Sequence, residues 1–153
     1  MSKSTISTFE LFQMFPDAEA ARVYMEGKRW PDGAVCPACD EAKRITTRKG
    51  GYYRCNACKT DFTVRTATIF ERSHIPLHKW LYAMYLLVTA RKGISSLQLA
   101  KQIGVTQKSA WFMLHRIRTA MEIDGGDKFH SLLKRVVAVP KDKVDARMAE
   151  KKS

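Results

Sequence analysis

The 153-residue sequence contains no apolar run approaching the ~20 residues of a membrane-spanning helix. Its opening residues lack the basic start, hydrophobic stretch and small-residue cleavage site of a secretory signal. A membrane partner is therefore excluded, and a reducing, cytoplasmic setting is the expectation. Acids are also scarce: 15 Asp and Glu stand against 27 Lys and Arg, a net charge of +12. The shortage is sharpest over residues 73–123, with seven basic residues and one acid, and residues 43–65 hold seven basic residues with Asp61 alone against them. There is no low-complexity tract and no internal repeat apart from two cysteine pairs. What remains is ordinary for a folded protein: 45% hydrophobic and 27% charged residues, with a mean hydropathy of −0.31, exclude a wholly disordered chain. A basic excess of this size suits a polyanionic partner, although a solvated lysine-rich face gives the same count.

The cysteines number four, and in a reducing compartment they are better metal ligands or reactive thiols than disulfides. They stand as Cys36-Pro37-Ala38-Cys39 and Cys55-Asn56-Ala57-Cys58, fifteen residues apart. Two residues between cysteines let one tight turn aim both sulfurs at one ion, and an intervening hairpin brings two such turns together. Cys36, Cys39, Cys55 and Cys58 are thus predicted to close a tetrahedron around one structural Zn2+ with no open position for catalysis. A redox pair is the competing reading of a single Cys-x-x-Cys, but no βαβ pattern surrounds these. The residue after each second cysteine, where glycine eases the turn, is Asp40 or Lys59; Asp tolerates a left-handed backbone, so strain is expected at Lys59.

Around this motif the sequence predicts an α+β chain, a small zinc-ribbon hairpin module followed by an all-α helix-turn-helix module. Pro16-Asp17 opens a short amphipathic helix that ends near Gly27, and Trp30-Pro31-Asp32-Gly33 is a turn. Residues 44–47, 52–54 and 62–66 alternate as three short antiparallel strands. Arg54 and Arg65, within them, are candidate DNA contacts. Pro76 to Arg91 is a strongly apolar helix closed at Gly93. The expected divisions are a helical segment at 1–30, the ribbon at 31–72, the helical module at 73–123 and a charged C-terminal tail at 124–153, read as a frayed helix and a tail.

Within the helical module, residues 95–103 form one short helix, Gly104-Val105-Thr106 a tight turn, and residues 107–121 a second helix. Leu97, Ala100 and Ile103 are expected to meet Ala110, Met113, Leu114 and Ile117 along an apolar seam. In a helix-turn-helix the N-terminal end of the second helix meets base edges, which makes Gln107, Lys108 and Ser109 the candidate base readers. His115, Arg116 and Arg118 lie further along and suit phosphates, with a plain surface position an equal reading of His115. Trp111 and Phe112 suit either role, at least one being expected in the core.

With these residues in place, the chain resembles the N-terminal region of zinc-ribbon transposases of bacterial insertion sequences, whose catalytic half is a DDE-type domain. The resemblance spans residues 15–121. It rests on Trp30-Pro31-Asp32-Gly33, both cysteine pairs, residues 62–65 and 68–70, Ile75-Pro76-Leu77 with Lys79-Trp80, Lys92-Gly93-Ile94-Ser95, and residues 110–118. It implies a DNA-end recognition unit in a bacterial, nucleoid-associated setting, with double-stranded DNA as partner and a full-length transposase or self-association as further candidates. Ala67 stands where the family pattern leads one to expect glycine, a departure that would stiffen the turn. In such transposases an RNase H-like sheet carries the catalytic carboxylates, whereas thirty-two residues follow Met121 here. Asp124, Asp127, Asp142 and Asp145 lie in a short charged segment without strands to hold two Mg2+ ions. The expectation is therefore a DNA-binding protein derived from a transposase, without catalytic residues. The alternatives are the first half of an active transposase completed by another reading frame, and a ribbon that contacts protein or RNA.

Overall fold

The computed structural model describes residues 7–90, 92–124 and 141–150. Its first helix, α1 (Thr8–Met14), starts at a capping box: the Ser7 hydroxyl accepts from the Glu10 amide and the Glu10 carboxylate accepts from the Ser7 amide. α2 (Ala18–Arg29) starts at Asp17, whose carboxylate accepts from the Ala20 amide at 2.8 Å. It buries Ala21 and Met25 and packs on α3 (Leu77–Thr89). Pro76 precedes α3, its fixed φ suiting a helix start. α3 is the centre of the core: Leu77, Trp80, Leu81, Ala83, Met84 and Tyr85 are buried along it. α4 (Ser96–Ile103) and α5 (Gln107–Asp124) also pack on it.

Between α2 and α3 lie three antiparallel strands in the order β1 (Ile45–Thr47), β2 (Tyr53–Cys55), β3 (Asp61–Phe62). Ile45 faces Cys55 across the first ladder and Tyr53 faces Phe62 across the second. The β1–β2 connection is a short 3-10 turn, Lys49–Gly51, in which Gly50 and Gly51 take φ of 73° and 81°. Gly51 is buried because α2 passes over it. A Cβ at this position would lie 2.5 Å from Cδ of Arg22, a side chain held by ion pairs to Glu19 and Glu26.

The third strand is shorter than its alternation predicts. Beyond Phe62 the chain leaves the sheet through successive turns in which threonines bond the backbone: the Thr66 hydroxyl accepts from the Thr63 amide at 3.0 Å, and the Thr63 hydroxyl from the Arg65 amide at 3.2 Å. These local bonds replace ladder bonds. They also carry Val64, Ile69 and Phe70 into the helical core. Ala67 sits there with φ 62°, the left-handed conformation for which glycine was expected.

One further expectation is corrected. Leu97 lies outside the α4–α5 seam and is half exposed, whereas Leu99, Ala100 and Ile103 are buried. At about 100° per residue, Leu99, Ala100 and Ile103 cluster on one side of α4 and Leu97 falls about 115° from their centre. In the C-terminal segment, read as a frayed helix and a tail, α6 (Lys141–Glu150) packs on α5, with Val144 fully buried and Asp145 3.0 Å from the Arg116 guanidinium. Asp127 lies outside the described residues. No described helix is long and apolar enough to cross a membrane.

Candidate metal centre and nucleic-acid interface

The two cysteine pairs fold as matching knuckles. In the first, the Asp40 amide donates to the Cys36 carbonyl at 2.9 Å and the Cys36 amide to the Glu41 carbonyl at 3.0 Å; in the second, the Cys55 amide donates to the Thr60 carbonyl at 2.9 Å. Asp40 and Lys59, the residues after each second cysteine, adopt φ of 59° and 61°. Both knuckles therefore demand the left-handed turn that the sequence pointed to, and the lysine carries the larger steric cost. The Glu41 carboxylate supports the first knuckle by accepting from the Lys43 amide at 2.9 Å.

β1–β2 pairing then brings the knuckles face to face. All four sulfurs lie within 4.8 Å of one another, with Cys36 Sγ 3.6 Å from Cys58 Sγ and Cys39 Sγ 3.5 Å from Cys55 Sγ. A tetrahedral ion with metal–sulfur bonds of about 2.3 Å requires sulfurs ~3.8 Å apart, so the donor set fits a four-thiolate metal site. Thr60 hydrogen bonding holds the Cys58 thiol down at about 6. At Cys39 the Glu41 amide lowers the thiol, but crowding by the other sulfurs and burial outweigh it and push it up to about 12. Four thiolates this close repel one another, and a divalent cation removes that repulsion. Beneath the site Cys36, Cys55 and Phe62 are buried with Trp30, Ala34, Ile45 and Tyr53. Trp30 meets Tyr53 and Phe62 edge-to-face, with ring centroids 5.5 and 5.7 Å away, and also touches the helical core.

Gly104, left-handed at φ 69° and ψ 43°, ends α4, and α5 is capped by Thr106, whose hydroxyl accepts from the Ser109 amide at 3.2 Å. Ala110, Met113, Leu114 and Ile117 bury the inner side of α5. An adjoining side carries Gln107, Lys108, Trp111, His115 and Arg118, a stripe with spacings of three and four. Ser109 is half-buried and engaged in the cap, its hydroxyl 2.9 Å from that of Thr106. Neither Trp111 nor Phe112 is a core residue: they are 46% and 38% exposed. The Trp111 ring lies 4.0 Å from that of His115. On a 100° wheel Phe112 falls about 140–160° from Ala110 and Ile117 and Trp111 about 100–120°, the available signal in the sequence.

The four candidate arginines separate. Arg118 is exposed and donates to the Ile94 carbonyl at 3.0 Å. Arg116 lies on another side of α5, buried, over the Phe112 ring and paired with Asp145. Arg65 donates to the carbonyls of Ser73 and Ile75, each at 2.8 Å, and burial lowers its pKa. Arg54 lies on the polar face of the sheet, 3.2 Å from Asp61, which also draws Arg48.

Residues 16–61 match the family described as the transposase zinc-ribbon domain of the IS1595 type. This bears out the resemblance read from the motifs, and the matched span includes α2 and Trp30 as well as both knuckles. The chain is also 33% identical over 99 residues to a protein of the transposable element ISH50 of Halobacterium salinarum, described there as uncharacterized. That match covers 61% of this chain and 32% of the relative, so the chain spans about a third of the relative's length. No solved structure matches the chain significantly.

Proposed function

We propose, from the zinc-ribbon match over residues 16–61, that the chain is a Zn2+-dependent double-stranded-DNA-binding protein that recognises the ends of a transposable element. The observation that carries this reading is the exposed stripe of α5 in a segment, residues 73–121, that contains no acid. Gln107 and Lys108 at the helix start address base edges; Arg118, with His115, lies where phosphates run along the groove. Arg54 offers a second, weaker contact on the ribbon. Arg65 and Arg116 serve the fold, because their guanidinium groups are committed to carbonyls, a carboxylate and a ring. The ion is one structural Zn2+, which four thiolates without an open position favour.

The proposed role is binding and not strand transfer, because the family match covers the zinc ribbon alone. A second reading is favoured by the relative being about three times as long as the matched span: this chain supplies the recognition part of a transposase whose catalytic part is encoded separately. A complete transposase, or a second copy of the chain, is then its protein partner at the element ends in the bacterial nucleoid. Titrating the zinc-loaded chain into a duplex of the element ends and a scrambled duplex, across a salt series, tests the proposal. A specificity ratio of about 10³ or more at physiological salt is expected. Equal and steeply salt-dependent binding to both duplexes would overturn end recognition.

A further inference from the structure

We propose that Trp111 reads thymine through its C5-methyl group in the major groove, an inference that rests on α5 being the DNA-reading helix. Trp111 stands one helical turn after Gln107 on the same exposed stripe. Four residues advance a helix by about 6 Å, roughly two base-pair steps of about 3.4 Å. With α5 lying along the major groove, the indole would then meet base edges beside those within reach of Gln107 and Lys108. It is 46% exposed, and Phe112 beside it 38%, whereas Met113, Leu114 and Ile117 of the same helix are buried. The His115 ring at 4.0 Å supports it from the following turn.

Chemistry narrows what such a ring can meet. An indole has one N–H donor, which a guanine acceptor or a phosphate oxygen can take, but most of its surface is an apolar ring face that needs an apolar partner. The major groove offers one apolar group among the ordinary bases, the thymine methyl. The absence of acids from residues 73–121 favours a polyanion over an acidic protein partner at this surface. A second copy of this chain, carrying the same positive stripe, would be repelled by it.

The test uses the full zinc-loaded chain to enrich duplexes from a random-sequence library, after which each thymine of the enriched duplex is replaced in turn by deoxyuridine. For the wild-type chain one or two replacements should weaken binding roughly four-fold, the effect of losing one buried methyl group. Trp111→Ala should bind thymine and uracil duplexes equally, with Trp111→Phe intermediate. Because Trp80 is fully buried and Trp30 is packed between two rings, quenching on DNA binding should arise at Trp111 and vanish in Trp111→Ala. An unchanged far-UV spectrum keeps that variant interpretable. An enriched duplex with no methyl-sensitive thymine, methyl sensitivity that survives in Trp111→Ala, or an effect of that variant on self-association alone would overturn this inference while leaving DNA binding intact. Failure to enrich any duplex would overturn the parent reading and this one with it.

Discussion

Gly51→Ala probes how the ribbon is fastened to the helices. The new Cβ meets two penalties. At φ +81° the backbone is left-handed, which costs an alanine about 1–2 kcal/mol. The methyl group would also lie 2.5 Å from Cδ of Arg22 and 2.9 Å from its Nε, well inside the ~3.5–4.0 Å at which carbon atoms rest. Arg22 must then swing away from α2 and release Glu26, with which it forms a part-buried pair at 2.6 Å. Loss of an i,i+4 pair and of the packed arginine stem adds about 1 kcal/mol. Gly50→Ala is the control, since at φ +73° it bears the same strain but meets only the Tyr52 ring, at 3.8 Å. With zinc saturating, Gly51→Ala should therefore lower Tm by about 2–4 °C more than Gly50→Ala. In an Arg22→Ala background the two should become equal within about 0.5 kcal/mol. Equal losses in the wild-type background, or a difference that persists without Arg22, would refute the proposed contact.

Chelation of the metal, or Cys55→Ser, should abolish the dispersion of resonances from residues 31–62 and shift Trp30 emission. The helical signal at 222 nm should largely survive, because the helical core takes Val64, Ile69 and Phe70 from beyond the sheet. Arg116→Ala should cost about 1–2 kcal/mol in chemical denaturation by removing a buried guanidinium from its contacts with the Phe112 ring and the half-exposed Asp145. It should leave the salt dependence of DNA binding unchanged, whereas Arg118→Ala should reduce the magnitude of the log K against log salt slope by about 1. Burial and Lys79 lower the pKa of His78 against the opposing pull of Asp17. The unfolded chain then binds more protons than the folded one below the ordinary histidine range, so stability should fall as pH drops through that range. His78→Gln should flatten this part of the profile, as read from urea midpoints.

The metal site was legible in the sequence because ligand spacing, turn geometry and chemistry all converge on four residues. Even the awkward Asp40 and Lys59 positions appear as left-handed turns. Helix starts were legible for a similar local reason, as at Asp17, Ser95 and Thr106, where a short polar side chain caps the amide three residues on. Long-range commitments were not. Arg65 and Arg116 have the composition of phosphate ligands, and only tertiary placement shows Arg65 against carbonyls eight and ten residues away and Arg116 against Asp145. Alternation from Phe62 to Thr66 resembled a strand because period-two patterning says nothing of threonine hydroxyls that bond the adjacent backbone. Docking of α6 was not legible either: Val144 and Met148, four residues apart in a charged decapeptide, suit a helix but do not say what it packs against.

Trp30 has a bearing on how this chain can be recombined. Because its indole closes the cluster under the cysteines while also touching the helical core, the ribbon is not a cassette that can be lifted out at residue 31. A graft restricted to the knuckles and their hairpin would leave behind the lid of its own interior. A transplant that begins ahead of α2 carries the lid, the Arg22 clasp and both knuckles together. Exchange of such units between proteins is then expected to succeed at boundaries near residue 16 and to fail at the turn that looks, by composition, like the natural seam.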